Sequence, residues 1–261
     1  MKALIDGDIL RYEISYGAEV GWKAIEEGSS DPPPFDYVSH LLHERINNIR
    51  SLTGSDEYTI FLTEGRTFRY DIAKTRPYKG NRQDVKPFHF NNLTVYMRDC
   101  LPCQMVQQIE ADDAMALEQL SSKGTTIICS RDKDLRQVPG LTYSWELGKQ
   151  ASFGPCEVDE TGYLTLSKDR KKLSGTGFAF FCAQLLMGDT ADNIPGLKGW
   201  GPVATHGWFS LCTTPEEYYM AASAAYENNK DYLLEQGRLL WLTRSLDLYG
   251  YPQLWQLGQL R

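Results

Sequence analysis

Two tight groups of carboxylates, separated by one helix-length segment and one short apolar run, constrain this sequence more than any other feature. The apolar, β-branched run Thr125–Cys129 has the length and composition of a buried strand. A helix that joins two parallel strands forms a βαβ unit, whose ligand site lies at the carboxyl ends of the strands. We therefore expect an α/β fold in which the five acids converge on one point. They are Glu110, Asp112, Asp113, Asp132 and Asp134.

Such a cluster cannot remain fully ionised without compensating charge. Two like unit charges about 4 Å apart repel by roughly 4 kcal/mol at an effective dielectric constant near 20. Protons, neighbouring Lys or Arg, or hard cations supply the compensation. An oxygen-only ligand set without paired His or Cys favours Mg²⁺ or Mn²⁺ over zinc. For this segment alone, a solvated acidic helix start followed by an unrelated acidic turn remains the alternative.

Two more carboxylates follow predicted strands. The first apolar run of the chain ends at Asp6, and the second ends beside Glu64. Carboxylates at strand ends of an α/β sheet are well placed to join a ligand site. We expect Asp6 and Glu64 to do so, and we expect Asp8 instead to cap a helix that begins at Ile9.

A basic segment with interleaved aromatic residues lies between residues 66 and 82. Lys and Arg supply charge for phosphate groups, and Tyr offers a face on which an unpaired base can stack. A basic loop on a solvated surface is the alternative, but the acidic strand end just before the segment favours a substrate site. The candidate residues are Arg69, Lys74, Arg76, Tyr78, Lys79 and Arg82.

A second acidic pair stands next to a glycine-rich turn. Asp189 and Asp192 are three residues apart, and Pro202 suits the first turn of a following helix. Backbone N–H groups at a glycine-rich turn that opens a helix bind phosphate, so such a turn can hold DNA without reading bases. A glycine-rich loop with no ligand is the alternative. The candidate residues of the turn are Gly196, Lys198, Gly199 and Gly201.

The overall charge at first argues against a nucleic-acid ligand, because 34 acidic residues outnumber 27 basic ones. If the clustered acids bind metal, the remaining surface is basic on balance. No apolar run approaches the roughly 20 residues of a membrane span, and a carboxylate at position 6 is too early for a signal peptide. Six cysteines without paired spacing indicate a reducing cytoplasm, and no membrane partner is expected.

Five pieces of the sequence together resemble the flap endonuclease, or 5′→3′ exonuclease, superfamily, which includes phage 5′-exonucleases and the 5′-nuclease domains of bacterial DNA polymerases I. They occur in the order found in that family and span nearly the whole chain. Each piece alone is weakly specific, and the combination is highly specific. The pieces are Ile5–Gly7, Tyr78–Arg82, Glu110–Asp113, Ser130–Asp134 and Gly188–Pro202.

The resemblance implies a PIN-like α/β core with a central, mostly parallel sheet flanked by helices. It also implies a helix-three-turn-helix DNA clamp and a helical C-terminal part. We expect residues 1–170 to form the catalytic core and residues 171–261 the clamp and C-terminal helices, as one compact unit. In the C-terminal part, Thr214-Pro215-Glu216-Glu217 predicts a capped helix start.

The resemblance further implies hydrolysis of DNA phosphodiesters with two Mg²⁺ ions, for which Mn²⁺ can substitute. By that resemblance, Asp6, Glu110 and Asp112 hold one ion. Lys79 and Arg82 match the basic pair that contacts the scissile phosphate, and the turn Gly196–Gly201 matches the clamp, where a K⁺ ion often binds in this family. The residues that hold or orient the second ion are Asp132, Asp134, Asp189 and Asp192, with Asp113 near both ions.

The sequence departs from the family pattern at two points. Glu64 stands where the family usually has Asp, and the interval from Lys79 to Glu110 is short for a full helical arch. A shortened arch favours exonuclease action at 5′ ends, nicks or gaps over threading of a 5′ flap. RNA–DNA hybrids are a further candidate substrate. The expected setting is DNA replication or repair in a bacterial or phage-infected cytoplasm.

Three other functions compete with this prediction. A PIN-type ribonuclease shares the acidic core but lacks the glycine-rich clamp. A catalytically inert DNA-binding relative should have lost the acids of the second metal, which are present here. A Mg²⁺-dependent phosphatase of small substrates would not need the basic-aromatic segment and the clamp together.

Overall fold

The computed structural model describes residues 1–26, 31–83, 85–227 and 229–260. Its contacts divide the chain into two compact units. The sheet unit comprises Met1–Gly65, Asp84–Asp132 and Leu141–Cys156, and the helical unit comprises Arg66–Gln83, Lys133–Gly140 and Glu157–Arg261. The helical unit contains residues from both sides of residue 170, and the expected domain division there stays a prediction.

The sheet unit is built on a six-stranded sheet with the strand order β3-β2-β1-β4-β5-β6. Strand β1 pairs in parallel with both β2 and β4, and β4 pairs in parallel with β5. This arrangement confirms the predicted α/β class with a mostly parallel central sheet. The strands are β1 (Lys2–Asp6), β2 (Glu57–Thr67), β3 (Cys103–Gln108), β4 (Thr126–Cys129), β5 (Gly140–Ser144) and β6 (Phe153–Val158).

The central strands β1 and β4 are buried because nearly all of their side chains are apolar. Leu4, Ile5 and Ile127 have no exposed surface, as expected for parallel strands covered on both faces. Ile5 lies opposite Cys129 in the register of β1 and β4. The carboxyl ends of the two strands therefore meet at one edge of the sheet, where Asp6 ends β1.

Four helices complete the sheet unit. The first helix follows β1 directly, and Gly7 makes this possible. A Cβ atom at Gly7 would lie 2.6 Å from Ile60 Cγ2 and 2.6 Å from the Phe61 carbonyl oxygen, so a larger residue would push the helix away from β2. The helices are α1 (Gly7–Ile25), α2 (Phe35–Thr53), α4 (Phe90–Cys100) and α5 (Ala111–Ser121).

Helix α4 lies in the interval where a helical arch was in question. Among the described residues between Lys79 and Glu110, it accounts for all of the helical structure. Its Leu93 and Met97 are fully buried in the core of the sheet unit. This helix is therefore part of a packed core, and the threading of a 5′ flap stays an open question for experiment.

The helical unit is centred on α6, which is apolar on every side and buried along its length. Phe178 and Phe181 of α6 pack with Trp241 and Trp255, the latter with no exposed surface. A capping box between Thr214 and Glu217 opens α8 as predicted. The elements are α3 (Arg69–Ile72), α6 (Gly177–Met187), α7 (Pro202–Trp208), α8 (Pro215–Ala225), α9 (Lys230–Leu240), and the antiparallel pair β7 (Leu164–Leu166) and β8 (Leu173–Gly175).

None of the described helices combines the length and the apolar character needed to cross a bilayer.

Candidate active site

Asp6 is a buried acid at the carboxyl edge of the sheet, with 1% of its surface exposed. Its Oδ1 accepts a hydrogen bond from the backbone N–H of Ile9 at 3.0 Å, so Asp6 caps α1. Its Oδ2 accepts from the hydroxyl of Ser130 at 2.6 Å. The same hydroxyl oxygen accepts from the backbone N–H of Asp132 at 2.9 Å. Ser130 therefore fixes Asp6 and Asp132 next to each other.

Burial, and next the charge of Asp8, raises the pKa of Asp6 from 3.8 to about 7. The charge of Asp132 acts in the same direction, while the hydrogen bonds from Ser130 and Ile9 oppose the shift. The folded chain thus resists the ionised form of this carboxylate, and a nearby cation would reverse that preference.

Asp8 does not have the role predicted for it. The first helix begins at Gly7, two residues earlier than expected, so Asp6 takes the capping position and the Asp8 prediction was wrong. The Asp8 carboxylate instead accepts from Arg11 Nη2 at 2.7 Å and from the backbone N–H of Thr63 at 3.2 Å. Burial raises its pKa, the guanidinium of Arg11 opposes the shift, and the charge of Glu110 adds to it.

The acids at the start of α5 form a capping box. Glu110 is the capping residue, and Asp113 Oδ2 accepts from its backbone N–H at 3.0 Å. Both side chains are buried, whereas Asp112 is half-buried. The hydroxyl of Thr63 accepts from the backbone N–H of Ala111 at 2.9 Å, so Thr63 links this helix start to Asp8.

Hydrogen bonds and mutual charge effects thus join the acids of the sheet unit, and we call them the sheet-unit acids. Sequence analysis anticipated most of them but assigned no site role to Asp8, Thr63 or Ser130. Ser130 was visible inside the predicted acidic turn, and Thr63 stands beside Glu64 at the expected strand end. The sheet-unit acids are Asp6, Asp8, Glu110, Asp112, Asp113 and Asp132.

Glu64 does not sit at a strand end. Strand β2 continues to Thr67, so Glu64 lies inside it, with its side chain exposed. Its Oε2 accepts from Gln107 Nε2 at 2.7 Å. The prediction of a strand end was wrong because the strand extends beyond its apolar part, and a metal-binding role for Glu64 remains a prediction.

The helical unit has its own acidic group, which we call the helical-unit acids: Asp134, Asp189 and Asp192. Asp189 is 4% exposed, and its Oδ2 forms an ion pair with Lys133 Nζ. Gln184 Nε2 donates to Asp134 Oδ1 at 2.7 Å, and Lys133 Nζ lies 3.4 Å from the same oxygen. Lys133 therefore forms ion pairs with two of these three carboxylates.

Asp192 accepts hydrogen bonds from two residues of the basic-aromatic segment. The hydroxyl of Tyr78 donates to its Oδ2 at 2.7 Å, and Arg82 Nη2 donates to its Oδ1 at 2.5 Å. Asn81 Nδ2 also donates to the Thr190 carbonyl at 2.6 Å. The predicted phosphate-binding segment is therefore bound to the acidic turn of the same unit.

Tyr78 cannot offer a stacking face to a base, because only 3% of its surface is exposed. This prediction was wrong: the ring belongs to the apolar core of the helical unit, and the hydroxyl orients Asp192. Lys79, next in the chain, has a positive φ of 53° and places its Nζ 5.0 Å from the centre of the Tyr78 ring.

Arg69 was also predicted to contact DNA, and the structure contradicts this. Its side chain is 2% exposed, and it donates to the carbonyls of Leu239 at 3.0 Å and Trp241 at 2.9 Å. It stabilises the end of α9 instead. Lys74 and Arg76 are exposed, as a phosphate contact requires.

The glycine-rich turn divides into a buried part and an exposed part. Gly196 is buried: its N–H donates to Gln236 Oε1 at 3.0 Å, and its carbonyl accepts from the Tyr232 hydroxyl at 2.6 Å. Both backbone groups are therefore occupied, and the predicted contact of Gly196 with DNA was wrong. The exposed residues are Lys198, Gly199 and Gly201, of which Gly201 caps α7 just before Pro202.

The donor set of the sheet unit fits a hard divalent cation. It consists of carboxylate oxygens, of which Asp6 and Asp8 have raised pKa values because they are buried. Within the described part of the chain, no three His, Cys, Asp or Glu side chains are already arranged to hold a metal ion.

Comparison with known proteins gives one sequence relative and several structures. No protein-family model matches the chain. DNA polymerase I of Rhizobium leguminosarum is 29% identical over 171 residues, which are 62% of this chain and 16% of that protein. The chain thus corresponds to a small part of that relative's length.

Solved structures from bacteriophage T5 share the fold, each with a TM-score of 0.51 and a match to 90% of this chain. One is a T5 protein co-crystallised with metal ions, 14% identical over 83% of its length. Another is a variant of T5 5′-exonuclease, 13% identical over 85% of its length. A third is a variant of T5 flap endonuclease in a pseudo-enzyme–product complex with DNA and metal ions, 15% identical over 86% of its length. These matches confirm the predicted PIN-like α/β fold.

Proposed function

We propose that this chain is a divalent-metal-dependent 5′-nuclease that hydrolyses DNA phosphodiesters. The observation that carries the proposal is the buried group of carboxylates around Asp6, whose pKa is raised to about 7 chiefly by burial. A carboxylate that resists ionisation on its own is poised to accept a cation. The likeness to phage structures that contain metal ions and DNA supports the same function.

By the resemblance, Asp6, Glu110 and Asp112 would hold one Mg²⁺, and Mn²⁺ could substitute for it. Two cations bound there would supply activation of water, neutralisation of phosphate oxygens and stabilisation of the leaving 3′-oxygen. The residues that would hold or orient the second ion are Asp132, Asp134, Asp189 and Asp192, with Asp113 and Glu64 as further candidates.

The protein's own residues would position these groups and the phosphate. Ser130 and Thr63 orient the acids through the hydrogen bonds described above. Lys79 and Arg82 would bind the scissile phosphate and add positive charge where negative charge develops. Arg82 forms an ion pair with Asp192, so a bound phosphate would compete with Asp192 for this guanidinium.

DNA would be held through its backbone, with little sequence preference. The exposed candidates for these contacts are Lys74, Arg76 and Lys198, together with the backbone at Gly199 and Gly201. K⁺ at this turn is part of the proposal. The proposed substrates are 5′ ends, nicks, gaps and flaps of DNA, and RNA–DNA hybrids, in replication or repair in a bacterial or phage-infected cytoplasm. Because α4 is packed in a core, we favour exonuclease action over the threading of flaps.

A paired cleavage assay tests the proposal. Duplex, nicked and 5′-flap DNA, labelled at either end, would be incubated with Mg²⁺ or with a chelator. Mg²⁺-dependent release of mononucleotides from the 5′ end is expected, whereas a product of flap length would identify an endonuclease. An RNA substrate cleaved in preference to DNA would favour a PIN-type ribonuclease.

An inert DNA-binding protein is the second candidate. It is favoured by the ion pairs of Asp189 and Asp192 with Lys133 and Arg82, which already neutralise those two acids. Binding of DNA without cleavage, in either Mg²⁺ or Mn²⁺, would support it over the nuclease.

A further inference from the structure

The tip of the hairpin formed by β7 and β8 has more basic residues than any six-residue stretch elsewhere in the chain. This tip, residues 167–172, reads Ser-Lys-Asp-Arg-Lys-Lys and contains four cations and one acid. The chain as a whole has a formal net charge of −7. A polyanion would therefore be repelled by the average surface and attracted by this tip.

The shape of the tip does not depend on the basic side chains. Ser167 N–H donates to the Lys172 carbonyl at 2.9 Å, and Arg170 N–H donates to the Ser167 carbonyl at 2.8 Å. Asp169 Oδ1 accepts from the Ser167 hydroxyl at 2.6 Å and from the Lys171 N–H at 3.2 Å. The backbone is thus held in place while the basic side chains project from it.

Those side chains are exposed and have no hydrogen bond or ion pair with any described residue. Elsewhere in the same unit, Arg66 pairs with Asp71 at 2.9 Å. Asp169 stays ionised, because the hydrogen bond from Ser167 lowers its pKa, but one carboxylate cannot balance four cations. The unpaired cations are Lys168, Arg170, Lys171 and Lys172.

The hairpin is anchored beside the helix that follows the glycine-rich turn. Leu164 and Leu173 pack against the core of the helical unit, and Leu164 lines a groove with His206 of α7 and with Phe209. Helix α7 has seven residues and is therefore about 10 Å long. The hairpin packs about 10 Å from α7 and is itself about 10 Å long. Together with the length of α7, these distances place the tip of the hairpin within roughly 30 Å of the glycine-rich turn.

That distance is less than one helical turn of DNA, which is about 34 Å long. We propose that the β7–β8 tip binds the phosphate backbone of the same DNA that the turn at Lys198 holds, and extends its footprint. The inference rests on the proposed function and adds a binding site to it. The tip has no role in the chemistry of cleavage.

The test compares two triple variants of the full chain that lose the same charge. The hairpin variant carries Lys168→Gln, Lys171→Gln and Lys172→Gln. The control variant carries Lys23→Gln, Lys123→Gln and Lys149→Gln, all of them exposed lysines of the sheet unit. DNA binding is measured with a chelator present, from 50 to 200 mM salt, on duplexes of increasing length.

Each lost phosphate contact reduces the slope of log affinity against log salt by about 0.9. The hairpin variant should therefore have a slope shallower by about 3 and bind long duplexes about 10-fold more weakly at low salt. The control variant should stay within about 2-fold of the wild type, because its lysines belong to neither of the two proposed contacts. Short duplexes that reach only the turn should not distinguish the hairpin variant from the control.

The outcomes separate the two proposals. Equal behaviour of the two triple variants, with a wild type that binds and cleaves DNA, would overturn the hairpin inference and leave the proposed function intact. A wild type that neither binds nor cleaves DNA would overturn both. Lys198→Gln serves as a reference for a single lost contact, with a slope expected to change by about 1.

Discussion

Asp6 in the sheet unit and the pair Asp189 and Asp192 in the helical unit are the same residue type but face different neighbours. Asp6 accepts its hydrogen bonds from two neutral donors, the Ser130 hydroxyl and the Ile9 N–H, and its pKa is raised to about 7 chiefly by burial. Asp189 is similarly buried but accepts from the ammonium of Lys133. Asp192 accepts from the guanidinium of Arg82.

The difference teaches that a cluster of acids in a sequence does not by itself specify a cation site. Ionisation of a buried carboxylate that has only neutral hydrogen-bond donors costs free energy, and a bound cation can offset that cost. A carboxylate that faces a lysine or arginine is already neutralised, and a metal must compete with that partner. Asp6 is therefore better prepared for a divalent ion than Asp189 or Asp192.

The largest expected effect is on cleavage. Asp6→Asn and Asp132→Ala should each lower the cleavage rate by about 100-fold or more, since they remove proposed metal ligands, while DNA binding stays within about 3-fold. If the helical-unit acids serve the same reaction, Asp192→Ala should lower the rate as much. The exposed Asp36→Asn is the control, and full activity in Asp132→Ala would refute the metal assignment.

The second effect is on stability, and it depends on pH. Without metal, the folded chain keeps a proton on Asp6 that the unfolded chain releases above its ordinary pKa of 3.8. The free energy of unfolding should therefore fall as the pH rises from about 4 to about 7, by no more than about 4 kcal/mol. Asp6→Asn should reduce this dependence and leave the part due to Asp8, whose pKa burial also raises, and Mg²⁺ should stabilise the wild type more than the variant at pH 7.

Urea denaturation of both proteins, with chelator or Mg²⁺, measures this effect. If the free energy of unfolding depends on pH equally in the wild type and in Asp6→Asn, the burial of Asp6 is not the cause of that dependence.

A third, smaller effect is expected in the helical unit. Lys133→Gln leaves the buried Asp189 without its cation and should lower the free energy of unfolding by about 2 kcal/mol, given that the lysine is half exposed. Asp189→Asn in the same background should recover part of the loss. If Lys133→Gln leaves the free energy of unfolding unchanged, Lys133 does not offset the buried charge of Asp189.

The smallest effect is expected from Tyr78→Phe, which removes the hydroxyl that donates to Asp192. The cost should be about 1 kcal/mol of stability, with cleavage reduced by less than about 10-fold. The matched control is Tyr70→Phe, because the Tyr70 hydroxyl makes no hydrogen bond with a described residue. Equal effects of the two substitutions would indicate that the Tyr78 hydroxyl does not position Asp192.

Much of the sheet unit could be predicted from the sequence, because its signals are local. Apolar runs indicated β1 and β4, and Asp6 was expected at the end of β1 and lies there. The capping box of α8 was equally visible in four consecutive residues. The errors at Asp8 and Glu64 are errors of element boundaries, because α1 begins two residues earlier than expected and β2 continues three residues past Glu64.

The basic-aromatic segment was predicted less well. Its sequence shows charge and ring type but not exposure. Arg69 donates hydrogen bonds to backbone carbonyls that are 170 and 172 residues away in the chain, and the Tyr78 hydroxyl donates to a carboxylate 114 residues away. The basic tip at residues 168–172 looks like an ordinary solvated charge run until β7 and β8 pair and pack beside α7.

The sequence by itself determined the α/β class, the strand-end position of Asp6, the residue types of both acidic groups and the start of α7 at Pro202. These depend on periodicity, capping and backbone preference, which act over a few residues. Only the tertiary structure decided which acid faces a neutral donor and which faces a cation, and which basic residues remain exposed. Burial and charge pairing depend on contacts between residues that are far apart in the chain, and no local pattern encodes them.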